Sequence, residues 1–212
     1  MGAMDNKGLA ARLRIGPLSD ADRVVVRREG EVDGATAFQV EGPVAASPED
    51  VVSYVREAEL SGLAGELARY EVLRESDAPP YARVVAYATR LPWPFRARAF
   101  VVEQTFSREG DAIVVDSRSV AAPWAGAPQG CVPGRVVYSG YRVESRGART
   151  LLRRIIAVDL DAFIPGLRSA LQRHYARDHE RFGAELPTEA AHALAERRAA
   201  WAGRALFDEL RR

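Results

Sequence analysis

Apolar and polar residues alternate in short runs between residues 23 and 158, and turn-forming residues separate the runs. Side chains two positions apart lie on one face of a strand, so this pattern predicts β-strands with a buried face. The predicted strands are residues 23–28, 36–44, 69–74, 81–90, 98–106, 112–120, 135–144 and 150–158. The short connections favour a mostly antiparallel sheet, and the glycines between the first two runs predict a hairpin there.

Two segments carry a helical pattern instead. Residues 47–50 (SPED) place an N-cap serine, a proline and two acids at the start of a predicted helix. Residues 165–182 are also predicted to be helical, with Leu167, Leu171 and Tyr175 near helical spacing on the side that faces the sheet. The element order predicts an α+β fold, in which a curved sheet wraps around a long terminal helix and leaves a cavity between them.

The charge pattern of the central strands indicates which face is buried. In the runs 112–120 and 135–144, charged side chains such as Asp116 and Arg142 occupy even positions, so the odd positions are predicted to face inward. In 98–106 the even positions are predicted to face inward. The residues predicted to line the cavity are Arg98, Phe100, Val102, Gln104, Phe106, Ile113, Val115, Ser117, Ser119, Arg135, Val137, Ser139 and Tyr141, with Leu167, Leu171 and Tyr175 from the terminal helix.

Two of these residues, Arg98 and Arg135, would be costly to bury without an acid, a ligand oxygen or water as partner. For Arg98, anchoring of a ligand and a structural ion pair with an acid such as Glu71 are both open. For the serines, hydrogen bonds to neighbouring backbone are the alternative to ligand contact. Trp124 lies in an Ala-, Pro- and Gly-rich loop, residues 121–134. It is predicted either to form part of the gate through which the ligand enters or to contact a membrane.

Three motifs occur in a consistent order along this pattern. They are residues 91–101 (LPWPFRARAFV), 135–143 (RVVYSGYRV) and 158–165 (VDLDAFIP). Together they resemble the START family of lipid-transfer domains, part of the helix-grip (SRPBCC) superfamily. The resemblance implies a helix-grip domain over residues 20–182, preceded by a leader (1–19) and followed by an additional helix (183–212). It also implies binding, and in some members transfer, of a sterol, phospholipid or other apolar molecule.

Composition narrows the other classes of function. Lys and Arg total 30 against 29 Asp and Glu, so the chain does not have the excess of basic residues that nucleic-acid-binding proteins use to contact phosphates. No nucleic-acid partner is expected. Cys131 is a single cysteine, no phosphate-binding glycine loop occurs, and the histidines lack further ligands nearby, so neither a cofactor nor a metal is predicted. No apolar run reaches the ~20 residues of a membrane-spanning helix. Residues 1–4 (MGAM) look like a cloning scar, so a removed targeting peptide stays open while a cytoplasmic location is favoured.

The predicted function is binding or transfer of a lipid or another apolar small molecule, with transient contact to a membrane surface. An alternative is a polyketide aromatase or cyclase on the same fold, in which Arg98, Tyr141 and the lining serines orient a substrate and assist proton transfer. A third is a ligand-responsive interaction module, in which the extra helix over residues 187–212 docks a partner.

Overall fold

The computed structural model of the chain describes residues 25–33, 35–44, 46–56, 67–76, 78–91, 96–147 and 149–159, together with Arg177. The strands within them are β1 Val25–Val32, β2 Ala35–Val44, β3 Leu67–Glu75, β4 Tyr81–Thr89, β5 Arg98–Glu109, β6 Ala112–Ser119, β7 Val132–Pro133, β8 Arg135–Arg146 and β9 Arg149–Asp159, and the helix, α1, is Pro48–Arg56. Each predicted strand is therefore present. Apart from Arg177, the predicted terminal helix with Leu167, Leu171 and Tyr175 lies outside the described residues, as do the predicted domain limits at residues 19, 182 and 183.

The strands form one sheet in the order β1-β2-β9-β8-β6-β5-β4-β3, and every pairing along this path is antiparallel. The antiparallel sheet and the hairpin of β1 with β2 are therefore confirmed. The sequence pattern missed β7, which pairs with the start of β5 in parallel. Two residues are too few to show an alternation of apolar and polar positions.

Helix α1 begins as the sequence predicts, because its first turn is capped from both directions. The hydroxyl of Ser47 accepts a hydrogen bond of 3.2 Å from the backbone N–H of Asp50, and the Asp50 carboxylate accepts from the backbone N–H of Ser47 at 3.4 Å. This reciprocal arrangement satisfies N–H groups that have no partner inside the helix. The cap fixes the position where the chain turns from β2 into the helix.

Helix α1 packs against one face of the sheet, which we call the inner face. Its residues Val51, Val52 and Val55 join a buried apolar cluster. The strand members of this first cluster are Val44, Tyr81, Phe106, Ile113, Val115, Val143 and Leu152. A second cluster lies further along the same strands and consists of Val85, Phe100, Val102 and Val136.

The opposite face, the outer face, is also buried over part of the sheet. A cluster of small and aromatic residues lies there on β2, β8 and β9, and its members are Ala35, Ala37, Val137, Tyr138, Ile155 and Ala157. Beside it, Glu41 and Arg153 form an ion pair in which both side chains are buried. Strands β2, β8 and β9 therefore have two buried faces, which accounts for their high apolar content.

Candidate functional site

A row of polar side chains crosses the inner face between the two apolar clusters. The strand register pairs Arg83 with Gln104, Gln104 with Ser117, and Ser117 with Ser139. Residues directly opposite in an antiparallel pair share a face and lie close together, so the four side chains are neighbours on four adjacent strands. Arg83, Ser117 and Ser139 are buried and Gln104 is half-buried. Polar groups in such a position require hydrogen-bond partners.

Arg83 finds its partners at the end of the row nearest to α1. Its Nε donates to Oε1 of Gln104 at 2.7 Å, and its terminal nitrogen donates to the backbone carbonyls of Val55 and Arg56. These carbonyls belong to the last turn of α1, where a cation is favoured by the helix dipole. The guanidinium also lies 5.6 Å from the centre of the Phe106 ring. Arg83 therefore ties the end of the helix to the sheet.

The same contact orients the side chain of Gln104. A guanidinium can only donate hydrogen bonds, so the Gln104 atom that faces Arg83 is the carbonyl oxygen. The amide nitrogen of Gln104 consequently points away from Arg83, and it carries two N–H donors. Ser117 is the residue directly opposite Gln104 on the next strand.

The serines of β6 differ in how their hydroxyls are satisfied. Ser119 Oγ accepts a hydrogen bond of 2.9 Å from the backbone N–H of Val136, so its hydroxyl joins β6 to the start of β8. Ser117 Oγ is buried and has no hydrogen-bond partner among the described residues. The alternative of a backbone partner therefore applies to Ser119, and the structure provides none for Ser117.

Aromatic and aliphatic side chains border the polar row on both sides. On the side of the first cluster, Phe106, Val115 and Tyr141 lie next to one another in the register, and the guanidinium of Arg154 lies 5.2 Å from the centre of the Tyr141 ring. On the other side, Phe100 stacks on Tyr87 with ring centres 5.1 Å apart. The inner face thus combines large apolar surfaces with a narrow polar strip.

Most of the predicted lining residues on β5, β6 and β8 share this inner face. The register from β5 to β8 places there Arg98, Phe100, Val102, Gln104, Phe106, Ile113, Val115, Ser117, Ser119, Ser139 and Tyr141. The predicted alternation of β5 and β6 is therefore confirmed. Contact of these residues with a ligand stays a prediction.

The prediction that Arg135 and Val137 face inward is wrong, because β8 contains a bulge. The register with β9 shifts between Val136 and Tyr138, which reverses the alternation at the start of the strand. Val136 consequently joins the second inner cluster, while Val137 joins the cluster on the outer face. Arg135 is about half exposed, pairs with Asp159 at 3.2 Å and donates to the backbone carbonyl of Asp33 at 2.9 Å.

Arg98 does not pair with Glu71. It is buried on the inner face and donates to the backbone carbonyl of Arg96 at 2.8 Å. Glu71 is opposite Ala86 on the outer face, where its carboxylate accepts a hydrogen bond of 2.8 Å from the indole N–H of Trp124. The loop that carries Trp124 therefore folds towards the edge strand β3. Its role as a gate or a membrane contact stays a prediction.

Sequence reasoning missed several residues of the inner face. Arg83 was not singled out, since a charged residue within a strand normally indicates the solvent side. A usable signal was present in β4, where Tyr81, Arg83, Val85 and Tyr87 alternate with smaller residues that include three alanines. Large residues on one side and alanines on the other indicate which side contacts bulky neighbours.

An ionisable pair lies on the outer face, away from the polar row. The hydroxyl of Tyr138 donates to the carboxylate of Asp116 at 2.6 Å. Burial raises the pKa of Asp116 above its ordinary value, and burial together with the neighbouring carboxylate raises the pKa of Tyr138. A side chain at position 140 would overlap the Tyr138 hydroxyl, which explains the glycine there. The pair of Tyr138 and Asp116 therefore contributes to the packing of the outer face and does not belong to the polar row.

In the ranges given above, no group of three or more His, Cys, Asp or Glu side chains could hold a metal ion. Nor does the described helix have the length and apolar character that crossing a bilayer requires.

No protein-family model matches the sequence, and no curated protein matches it either. Solved structures do match. Human STARD10 is 13% identical with a TM-score of 0.75, covering 99% of this chain and 89% of that chain. Human StAR-related lipid transfer protein 5 is 21% identical with a TM-score of 0.66, covering 85% and 89%. A STAR-related lipid transfer protein from Xanthomonas axonopodis is 20% identical with a TM-score of 0.61, covering 80% and 97%. The chain therefore has the START-type helix-grip fold.

Proposed function

We propose that this domain binds a lipid or another apolar small molecule against the inner face of its sheet and transfers it between membranes. The observation that carries the proposal is the composition of that face. Two apolar clusters with aromatic rings are separated by the polar row, in which Arg83, Ser117 and Ser139 are buried and Gln104 is half-buried. Ligand pockets typically combine such apolar walls with a few polar groups.

The structural comparisons support the same proposal. Two of the similar structures are described as lipid transfer proteins, and the likeness to them extends over most of this chain. A shared fold does not itself specify a function, so the residues of the inner face carry the proposal.

The proposed contacts on the sheet are based on the strand register. Phe100, Val102, Phe106, Val115 and Tyr141 would supply most of the apolar contact, and Arg98 would supply a polar anchor beyond the second cluster. The residues Leu167, Leu171 and Tyr175 would close the site from the terminal helix. Trp124 and its loop would provide the gate and the transient membrane contact.

The test is organic extraction of the purified protein followed by lipid mass spectrometry, with a matched pair of variants on β5. Val102 faces inward and is 2% exposed, while the adjacent Val101 faces outward and is half-buried. Val102→Trp should fill the proposed site and reduce the amount of lipid per folded protein. Val101→Trp should leave it unchanged. Circular dichroism establishes that both variants are folded.

The outcome that contradicts the proposal is equally specific. A wild-type protein that yields no lipid and takes up none from vesicles does not have the proposed function. A folded Val102→Trp variant with the same lipid content as Val101→Trp would place the ligand away from the inner face.

A further inference from the structure

The hydroxyl of Ser117 is the unsatisfied polar group at the centre of the inner face. The residue is 5% exposed, and its Oγ meets no hydrogen-bond partner in the part of the chain that the structure describes. Leaving a buried hydroxyl unbonded costs free energy, so such groups are rare in proteins and each requires an explanation. On the same strand, the Ser119 hydroxyl is bonded to backbone.

The neighbours of Ser117 present mainly donors. Gln104 stands directly opposite it on β5, with its carbonyl oxygen already bonded to Arg83 and its amide nitrogen directed elsewhere. The bond from a charged guanidinium polarises the Gln104 amide and strengthens it as a donor. Ser139 stands on the other side of Ser117, on β8, and is also buried. Two hydroxyls and an amide N–H can converge on one acceptor atom.

The polar row offers dipoles rather than an available charge. Arg83, which supplies the charge in the row, already donates to Gln104 and to the backbone carbonyls at the end of α1. An anion held at Ser117 would need a cation to offset its desolvation, and Arg154, which lies opposite Tyr141 on the same face, has its guanidinium over the Tyr141 ring. A neutral oxygen needs hydrogen-bond donors only.

We propose that the ligand carries a neutral oxygen function, a hydroxyl or a carbonyl, which binds at Ser117 and Gln104 between the two apolar clusters. This inference rests on the proposed function and adds the chemical class of the ligand. The position of the row also defines the geometry, because apolar side chains border it on both sides. The ligand oxygen is therefore flanked by apolar side chains of the protein on both sides along the strands.

The experiment compares three probes with the same chain length: hexadecane, hexadecan-1-ol and hexadecanoic acid. Each is titrated into delipidated protein, and binding is followed by displacement of Nile red. A neutral hydrogen bond corresponds to a preference of about 3- to 10-fold, so wild type should bind the alcohol more tightly than the alkane by about this factor. The acid, ionised at pH 8, should bind no better than the alcohol.

Two variants on β6 form the matched control. Ser117→Ala should abolish the preference for the alcohol over the alkane while leaving the affinity for the alkane unchanged. Ser119→Ala should keep the preference, since its hydroxyl is bonded to Val136. Removal of an unbonded hydroxyl should also raise the melting temperature of delipidated Ser117→Ala, whereas loss of the Ser119 bond should lower it. A structural role for Ser117 predicts the opposite shift.

The outcomes separate this inference from the proposed function. Lipid in the extract of wild type, combined with an equal preference in wild type and Ser117→Ala, overturns the inference and leaves the function in place. Tighter binding of the acid than of the alcohol overturns the neutral class of the ligand. Absence of lipid in the extract, with no binding of any probe, overturns both.

Discussion

The ion pair of Glu41 and Arg153 is buried where β2 meets β9 on the outer face. The two residues are direct cross-strand partners. Nε and a terminal nitrogen of Arg153 both donate to Oε2 of Glu41, at 3.0 and 2.6 Å. The side chains are only 2% and 5% exposed, so water screens the pair little. We predict that Glu41→Met and Arg153→Met each leave a buried charge without its cross-strand partner and lower the free energy of unfolding by about 3–5 kcal/mol.

The double variant Glu41→Met/Arg153→Met should behave differently from the two single variants. Replacing both charges by apolar side chains of similar volume removes the desolvation cost of both ions, so its stability should lie within about 2 kcal/mol of wild type. A domain of this size gains about 5–15 kcal/mol on folding, and 1 kcal/mol corresponds to about 2–4 °C in melting temperature. Each single variant should therefore melt about 6–20 °C lower than wild type in thermal unfolding. A double-mutant cycle of urea unfolding measures the corresponding free energies and the coupling between the two residues.

The location of the pair adds a functional readout. Because it lies on the face opposite to Ser117 and Val102, the double variant should retain the lipid content of wild type per folded protein. Additive effects of the two substitutions, with the double variant losing about 6–10 kcal/mol, would refute the reasoning that the cost comes from loss of the cross-strand ion pair.

Three other predictions concern individual contacts. Burial raises the pKa of Asp116, so the folded protein binds a proton at this carboxylate more tightly than the unfolded chain does. The resulting stabilisation is present below the ordinary pKa of 3.8 and is lost as the pH rises through the folded-state pKa. The stability of wild type minus that of Asp116→Asn should thus decrease with rising pH in urea titrations, and a constant difference would contradict this. Ser47→Ala removes the cap of α1 and should cost about 1 kcal/mol in the same assay, with no loss indicating that the cap is dispensable. Gly134→Ala would overlap the Phe100 ring and should cost about 1–3 kcal/mol while reducing extracted lipid; unchanged stability and lipid content would show that the loop adjusts freely.

The strand pattern could be predicted because alternation is a local property. Strand β5 alternates between buried and less buried positions from Arg98 to Val102, and in β6 the charges of Asp116 and Arg118 mark the positions that face outward, so polar and apolar positions reveal the register directly. The three motifs also led to the fold that the structural comparisons show. These features depend on residues that are close together in the sequence.

The bulge in β8 could not be predicted in this way. An extra residue between Val136 and Tyr138 leaves the local pattern apolar, because both faces of the strand are buried there. The charges of Arg142 and Glu144 lie beyond the bulge and give the correct alternation only for their own end of the strand. Arg83 escaped prediction for a related reason, since its partners are backbone carbonyls of a helix more than 25 residues earlier in the chain.

The contrast between the two faces of the sheet is the strongest argument that the inner face binds a ligand. On the outer face, buried polar groups have partners supplied by the protein itself: Tyr138 donates to Asp116, and Arg153 donates to Glu41. On the inner face, the Ser119 hydroxyl is satisfied in the same manner. An unbonded hydroxyl at Ser117, flanked by an amide whose orientation is fixed by Arg83, departs from this pattern, as does the Nε atom of Arg154 on the same face. If the side chain at position 117 served only packing, an apolar residue would be more stable there. The hydroxyl is therefore best explained by a hydrogen-bond partner that comes from outside the chain.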